Sequence, residues 1–267
     1  MTSIIPSYAT APLASLIGFF RLFKHNPQAE WTEQPGLERY RTAVPHPWFS
    51  GVVASRLPSS NDQALIQEQI TYFNNQGVNT FTWWLEPGLP VDEWGNQLLP
   101  LGFAISHDPP GMVCDLRRLH SDLSTPASLK VIQVNDQPTL DIWTKTFVKG
   151  FGLPESYTIS LYNLLAGFGL NAMLKHYLGY LDGEPSAAAS LFISDGIAGI
   201  YNVGVMEQAR RKGLGAAITL VPLLEARDMG YTLGALQSSE MGFNVYQRLG
   251  FQMVSNVTHF YHPAARV

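Results

Sequence analysis

Two Asp-Gly pairs, Asp182-Gly183 and Asp195-Gly196, constrain this sequence more than any other feature, because each falls between apolar, strand-like runs. A two-residue hairpin turn of this kind needs positive φ at both central residues, and Asp followed by Gly accepts that with little strain. The three runs therefore read as an antiparallel meander whose third strand is "IAGIYNVGVM". Upstream, "LKVIQV" reads as a strand, and Leu140 to Val148 and Tyr157 to Leu165 as helices. Downstream, Leu214, Ala217, Ile218, Val221 and Leu224 mark the apolar face of a helix closed by Gly230. "YTLGALQSS" then supplies a strand, "MGFNVYQRL" a short helix and "FQMVSNVTHFY" one final strand. Pro222 lies inside the longer helix and is expected to kink it, at about 3 kcal/mol.

The polar segment Arg117 to Lys130, with Pro126, separates this half from an earlier one, so the chain divides into residues 1–125 and 128–267. At 267 residues it is long enough for two domains. The first half holds a strand in "WFSGVVASRL", a helix in "DQALIQEQITYFNNQG" and a strand in "NTFTWWL". Its ending "LLPLGFAIS" matches "YQRLGFQMVS" in the second half, which suggests an internal duplication. Near the N-terminus, Leu13, Leu16, Ile17, Phe20 and Phe23 have the spacing of a helix laid on a core. That segment has no basic residues ahead of it and is too short to span a bilayer, so the expectation is a cytoplasmic chain without a membrane partner.

Directly after the third meander strand comes "ARRKGLGAA", three cations against two glycines in a chain of net charge -4. A helix N-terminus offers unpaired N–H groups and a partial positive charge, and Gly213 and Gly215 let an anion approach them. The acidic balance gives no reason to bind nucleic acid, so the anion is small. A Walker loop requires Lys-Ser or Lys-Thr after its last glycine, and here Gly-Ala-Ala follows. A Rossmann turn requires a parallel βαβ unit, and here a meander precedes the loop.

Taken with "YNVGV", "LGALQSS" and "NVYQRLGF" in that order, the loop resembles the signature of the GNAT (general N-acetyltransferase) superfamily, with Arg210, Gly213 and Gly215 in place. The resemblance covers Ser128 to Val267 and implies a mixed α/β (α+β) GNAT fold, a twisted, mostly antiparallel sheet flanked by helices. The first half is then a degenerate copy in a tandem arrangement, its cofactor site lost because "RLPSSNDQ" has no glycine cradle. The resemblance further implies that acetyl-CoA is the co-substrate and that backbone amides of Arg211, Lys212, Gly213, Leu214, Gly215 and Ala216 hold its pyrophosphate. Val203, Gly204 and Val205 would pair with the pantetheine arm, which can add to an open strand edge. Gly204 and Gly234 would lie in the two strands that splay around that arm.

By the same resemblance Tyr246 protonates the departing thiolate, its pKa near 10 lying close to a thiol's, and Asn244 contacts the pantetheine. Where histone-type members carry a glutamate base, this sequence has Gly199, and Glu184, Glu207 and Glu240 read as solvated. The expectation is an acetyltransferase acting on an amine of a small molecule or peptide by direct attack. Its alternative is a non-catalytic acyl-CoA sensor. Monomer and homodimer both remain open.

Other candidates carry less. Cys114 reads as a buried strand residue and excludes an internal disulfide, His259 and His262 fall on opposite faces of a strand rather than forming a metal site, and Trp83 and Trp84 read first as core.

Overall fold

The computed structural model describes residues 7–59, 62–78, 80–122, 124–170 and 173–263. The first part of the chain forms α1 (Ala11–Arg21), β1 (Ala29–Gln34), β2 (Leu37–Thr42), β3 (Ser50–Ala54), α2 (Asp62–Asn75), β4 (Phe81–Leu85), α3 (Val91–Leu98), β5 (Ala104–Ser106) and β6 (Pro110–Asp115). The second forms β7 (Lys130–Gln133), α4 (Gln137–Phe151), α5 (Thr158–Phe168), β8 (Leu174–Leu181), β9 (Glu184–Ser194), β10 (Ile197–Val205), α6 (Leu214–Asp228), β11 (Leu233–Gln237), α7 (Glu240–Arg248), β12 (Gln252–Asn256) and β13 (His259–His262). The meander is β8–β9–β10, and Asp182 and Asp195 hold φ of 53° and 50° in its two turns. The helix α6 runs unbroken through Pro222, which is buried on its core face.

The two sheets have the orders β1-β2-β3-β4-β13-β5 and β12-β6-β11-β10-β9-β8-β7. Each is antiparallel except at one pair, β3 with β4 and β10 with β11. The last strand of each half has crossed over. β6, from the first half, lies between β11 and β12, pairing Gly234 with Cys114 and Met253 with Met112. β13, from the second half, lies between β4 and β5, pairing Phe260 with Trp83. The segment read as one final strand is therefore two, β12 and β13, in different sheets. A division at residues 125–128 runs through both sheets.

One shared apolar layer lies between the sheets. On α1, Phe19 stacks on Tyr201 of β10 at 4.8 Å between ring centres, while its neighbour Phe20 packs on Tyr40 of β2 and Trp84 of β4, both at 5.2 Å. Consecutive helix residues point about 100° apart, which is how one helix reaches both walls. α4 and α5 complete this layer. The outer face of the first sheet is covered by α2 and α3, and that of the second by α6 and α7. Trp83 and Trp84 are both fully buried on opposite faces of β4, Trp84 in the shared layer. His259 stacks on Trp84 and His262 on Phe81, again on opposite faces. Cys114 is buried in β6, where desolvation pushes its thiol up to about 11. Among the described residues no helix is long and apolar enough to cross a membrane.

Candidate functional site

The site begins at a defect in β10. Its parallel pairing with β11 runs from Ile197–Leu233 to Ile200–Leu236 and then stops. On its other edge the register with β9 jumps between Tyr201–Ser190 and Gly204–Ala188, so Asn202 and Val203 face one residue, Ala189. Asn202 takes a φ of 55° to make this bulge. A bulge bends its strand and increases the local twist. Beyond it, β10 leaves β11 and a gap opens.

Val203, Gly204 and Val205 form the bent end of the strand. Met206 donates to the Ser186 carbonyl at 2.9 Å, so by alternation Gly204 also faces β9, and Val203 and Val205 turn their amides toward the gap. Gly204 has no side chain because α4 crosses there: a Cβ would stand 3.2 Å from the Phe147 carbonyl oxygen and the Phe151 nitrogen. Gly234 is not part of the gap. It pairs with Ala198 before the strands separate, and its missing side chain makes room for Leu116 and Leu223.

The basic glycine loop closes one end of the gap. Arg211 and Gly213 hold φ of 59° and 82°, and α6 starts at Leu214. Its first backbone bond runs from the Ala217 N–H to the Gly213 carbonyl, so the N–H groups of Leu214, Gly215 and Ala216 have no acceptor within the helix. Arg211 and Lys212 are exposed. Arg210 differs from them. Its Nε donates to the Val205 carbonyl and a terminal nitrogen to the Gly150 carbonyl, both at 3.2 Å, so it clamps the loop to β10 and α4.

On the opposite wall stands α7. A Cβ on Gly215 would meet Val205 at 3.8 Å and Val245 at 4.0 Å, so the loop, the bent strand and α7 converge on one point. Asn244 is exposed on α7. Tyr246 is buried, 7% exposed, and packed edge-on against Phe251. Burial pushes its hydroxyl up to about 12, farther from a thiol than the ordinary value. Glu184, Glu207 and Glu240 are exposed. Gly199 has no room for a carboxylate, because a Cβ there would collide with Ser15 Oγ and stand 2.6 Å from the Tyr201 ring. Among the described residues, no His, Cys, Asp and Glu group could hold a metal ion.

The equivalent place in the first half is shut. β3 and β4 stay paired from Gly51–Thr82 to Ala54–Leu85, and Glu86 N–H continues the ladder onto Ala54 at 2.9 Å. At the start of α2, Asp62 takes two bonds from Arg56, at 2.8 and 2.6 Å, and one from the Ser59 N–H at 2.7 Å. A carboxylate and its guanidinium thus sit at the start of α2, whereas no side chain caps the start of α6.

Three residues escaped the sequence reading. Asn202 Nδ2 donates to Ser190 Oγ at 3.1 Å, and that oxygen lies 2.8 Å from His176 Nδ1. The signal was there for Asn202, an amide residue in the apolar run "GIYNVGV" and a residue type that tolerates positive φ. His176 is fully buried, its Nε2 has no partner among the described residues, and burial pushes its pKa down to about 4. The unfolded chain protonates it near 6.5, so as pH falls from about 6.5 to about 4 the unfolded state binds a proton that the native state refuses. Stability then drops by about 3 kcal/mol in all. Buried His259 and half-buried His46 and His262 have lowered values and act in the same direction. Urea denaturation of wild type and His176→Phe at several pH values isolates the His176 share, which is the part of the pH slope the variant loses.

No model of a protein family matches this sequence, and no curated protein matches it. Solved structures do. The chain is similar to a GCN5-related N-acetyltransferase from Kribbella flavida, with a TM-score of 0.73, 19% identity and coverage of 99% of this chain and 98% of that one. It is similar to a tandem GNAT protein from the clavulanic acid biosynthesis pathway, with a TM-score of 0.59, 14% identity and 98% of both chains covered. A GCN5-related N-acetyltransferase from Sphaerobacter thermophilus gives 0.57, at 12% identity over 98% of this chain and 96% of that one.

Proposed function

From a chain that has the GNAT fold in tandem, with one gap open and the other shut, we propose an acetyl-CoA-dependent N-acetyltransferase acting on an amine of a small molecule or peptide. The observation that carries this reading is the separation of β10 from β11 beside the first turn of α6, which no side chain caps. The amides from Arg211 to Ala216 hold the pyrophosphate, as helix N-termini hold anions generally. Arg211 and Lys212 add charge, and Arg210 keeps the loop in place. Val203 and Val205 pair with the pantetheine arm as an added strand would, and Asn244 contacts the arm from α7. The amine lone pair attacks the thioester carbon, the C–S bond breaks, and Tyr246 protonates the sulfur that leaves. Rate enhancement comes chiefly from holding the two reactants together.

The burial of Tyr246 and the lack of room at Gly199 favour a second reading, a non-catalytic acyl-CoA sensor. One set of measurements tests both. A Cβ at Gly215 would make only ordinary contacts with Val205 and Val245, so Gly215→Val is expected to melt within a few degrees of wild type. It fills the floor of the gap, and the rise in Tm with acetyl-CoA, worth about 2.7 kcal/mol at a hundredfold excess over Kd, disappears. In Tyr246→Phe the rise persists and product formation falls at least tenfold. A wild-type rise without product from any amine favours the sensor, and no rise in wild type sinks both readings.

A further inference from the structure

The gap has a second face, turned to α1 and α4. Asn202 lies there, half-buried, while Ser190 and His176 behind it are buried. Ser190 Oγ joins the Asn202 amide to His176, and the His176 ring packs on Trp143 at 4.7 Å between centres. Trp143 Nε1 in turn donates to the carbonyl of Ala189, the residue opposite the bulge, at 3.0 Å. The bulge is thus fixed from two sides. With Nδ2 committed to Ser190, the free pole of the Asn202 amide is Oδ1, a hydrogen-bond acceptor.

Three polar groups described on this face carry no charge. Tyr201 donates to Ser15 Oγ at 2.7 Å, Gln237 donates to the Pro12 carbonyl at 2.6 Å, and His176 is neutral near pH 7. The place where a carboxylate could project, Gly199, is filled by Ser15 of α1. An ammonium ion brought out of water among such groups is penalised relative to the free amine. Near pH 7.5 about a third of a free α-amino group is already neutral, against about a thousandth of a lysine-like amine.

Resting on the acetyltransferase reading, we propose that Asn202, fixed at the β10 bulge by Ser190 and His176, receives the acceptor amine on its amide oxygen, and that this acceptor is an amine of low basicity, such as a free α-amino group. Asn202 touches the acceptor, and Ser190 and His176 are positioning residues. The amine nitrogen forms the new bond to the acetyl carbon and sheds one proton to water, while the sulfur leaves with the C–S electron pair and takes up one proton.

The test uses the full chain, saturating acetyl-CoA and two probes, glycylglycine and Nα-acetyl-lysine amide, with products read by mass spectrometry near pH 7.5. Glycylglycine is expected to react at least tenfold faster. Asn202→Gly keeps the left-handed backbone available and is expected to lower kcat/KM for glycylglycine at least tenfold, with the Kd for acetyl-CoA changed less than twofold. His176→Leu raises the KM for glycylglycine, and His176→Asn, whose amide reaches the Nδ1 position, restores it. Equal rates for the two probes, a preference for the lysine amide, no transfer to either probe by a protein that binds acetyl-CoA, or wild-type kinetics in Asn202→Gly overturns this proposal alone. Absence of acetyl-CoA binding by wild type overturns the acetyltransferase reading, and this proposal with it.

Discussion

A chain beginning at Ser128 is expected not to fold by itself. It lacks β6, which stands between β11 and β12 and is the sheet neighbour through which β12 is held. Met112, Cys114 and Leu116, buried against α6 and α7, go with it. Each buried side chain of that size contributes about 1.5 to 3 kcal/mol, and the sum approaches the whole stability of an ordinary domain. α1 is lost as well, which uncovers Tyr201 and Phe192. β13 would keep its residues but have no sheet to enter. Expressed alone, residues 128–267 should be insoluble or melt without a cooperative transition. Co-expressed with residues 1–127, they should be recovered as a soluble pair. Scanning calorimetry decides the matter, since a sharp melt of the isolated piece near the wild-type Tm is incompatible with the strand exchange.

Gly150→Val should be the most damaging single substitution near the site. A Cβ at Gly150 would stand 2.9 Å from the Gly204 carbonyl carbon and from the Val205 nitrogen. Both are backbone atoms, so neither can swing aside as a flexible side chain would. Either α4 lifts off the sheet or β10 shifts, and overpacking of that kind costs about 3 kcal/mol. The damage reaches the site because the Gly150 carbonyl is one of the two anchors of Arg210. We expect Tm to fall by about 10 °C and acetyl-CoA affinity to fall at least tenfold. Gly150→Ala should show the same effects, smaller. An unchanged Tm in Gly150→Val would mean that helix and strand do not approach so closely.

The second half was readable in the sequence because its signals are local. An Asp-Gly turn announces itself in two residues, and the glycine loop with α6 in little more than a dozen. β1 and β2 were missed, although Pro35-Gly36 marks their turn, because the strands are polar and partly exposed. "FQMVSNVTHFY" read as one strand for a different reason. Alternation says which face a residue takes but not which sheet receives it, and here the chain changes sheets at Val257, whose N–H is held by the Pro109 carbonyl at 2.9 Å. The site divides in the same way. Gly213 and Gly215 could be placed by their spacing, whereas the clamp at Arg210 and the network behind Asn202 depend on Gly150, His176 and Ser190, which lie far away along the chain.

The crossing of β6 and β13 bears on how such a chain can change over generations. A deletion that removed the half without a cleft would also take away an interior strand of the half that has one. The first half therefore serves the second through its shape as well as through α1, whose Ser15 and Pro12 meet Tyr201 and Gln237. Substitutions in its exposed loops should be tolerated better than substitutions in β6, which the other half's sheet holds on both sides.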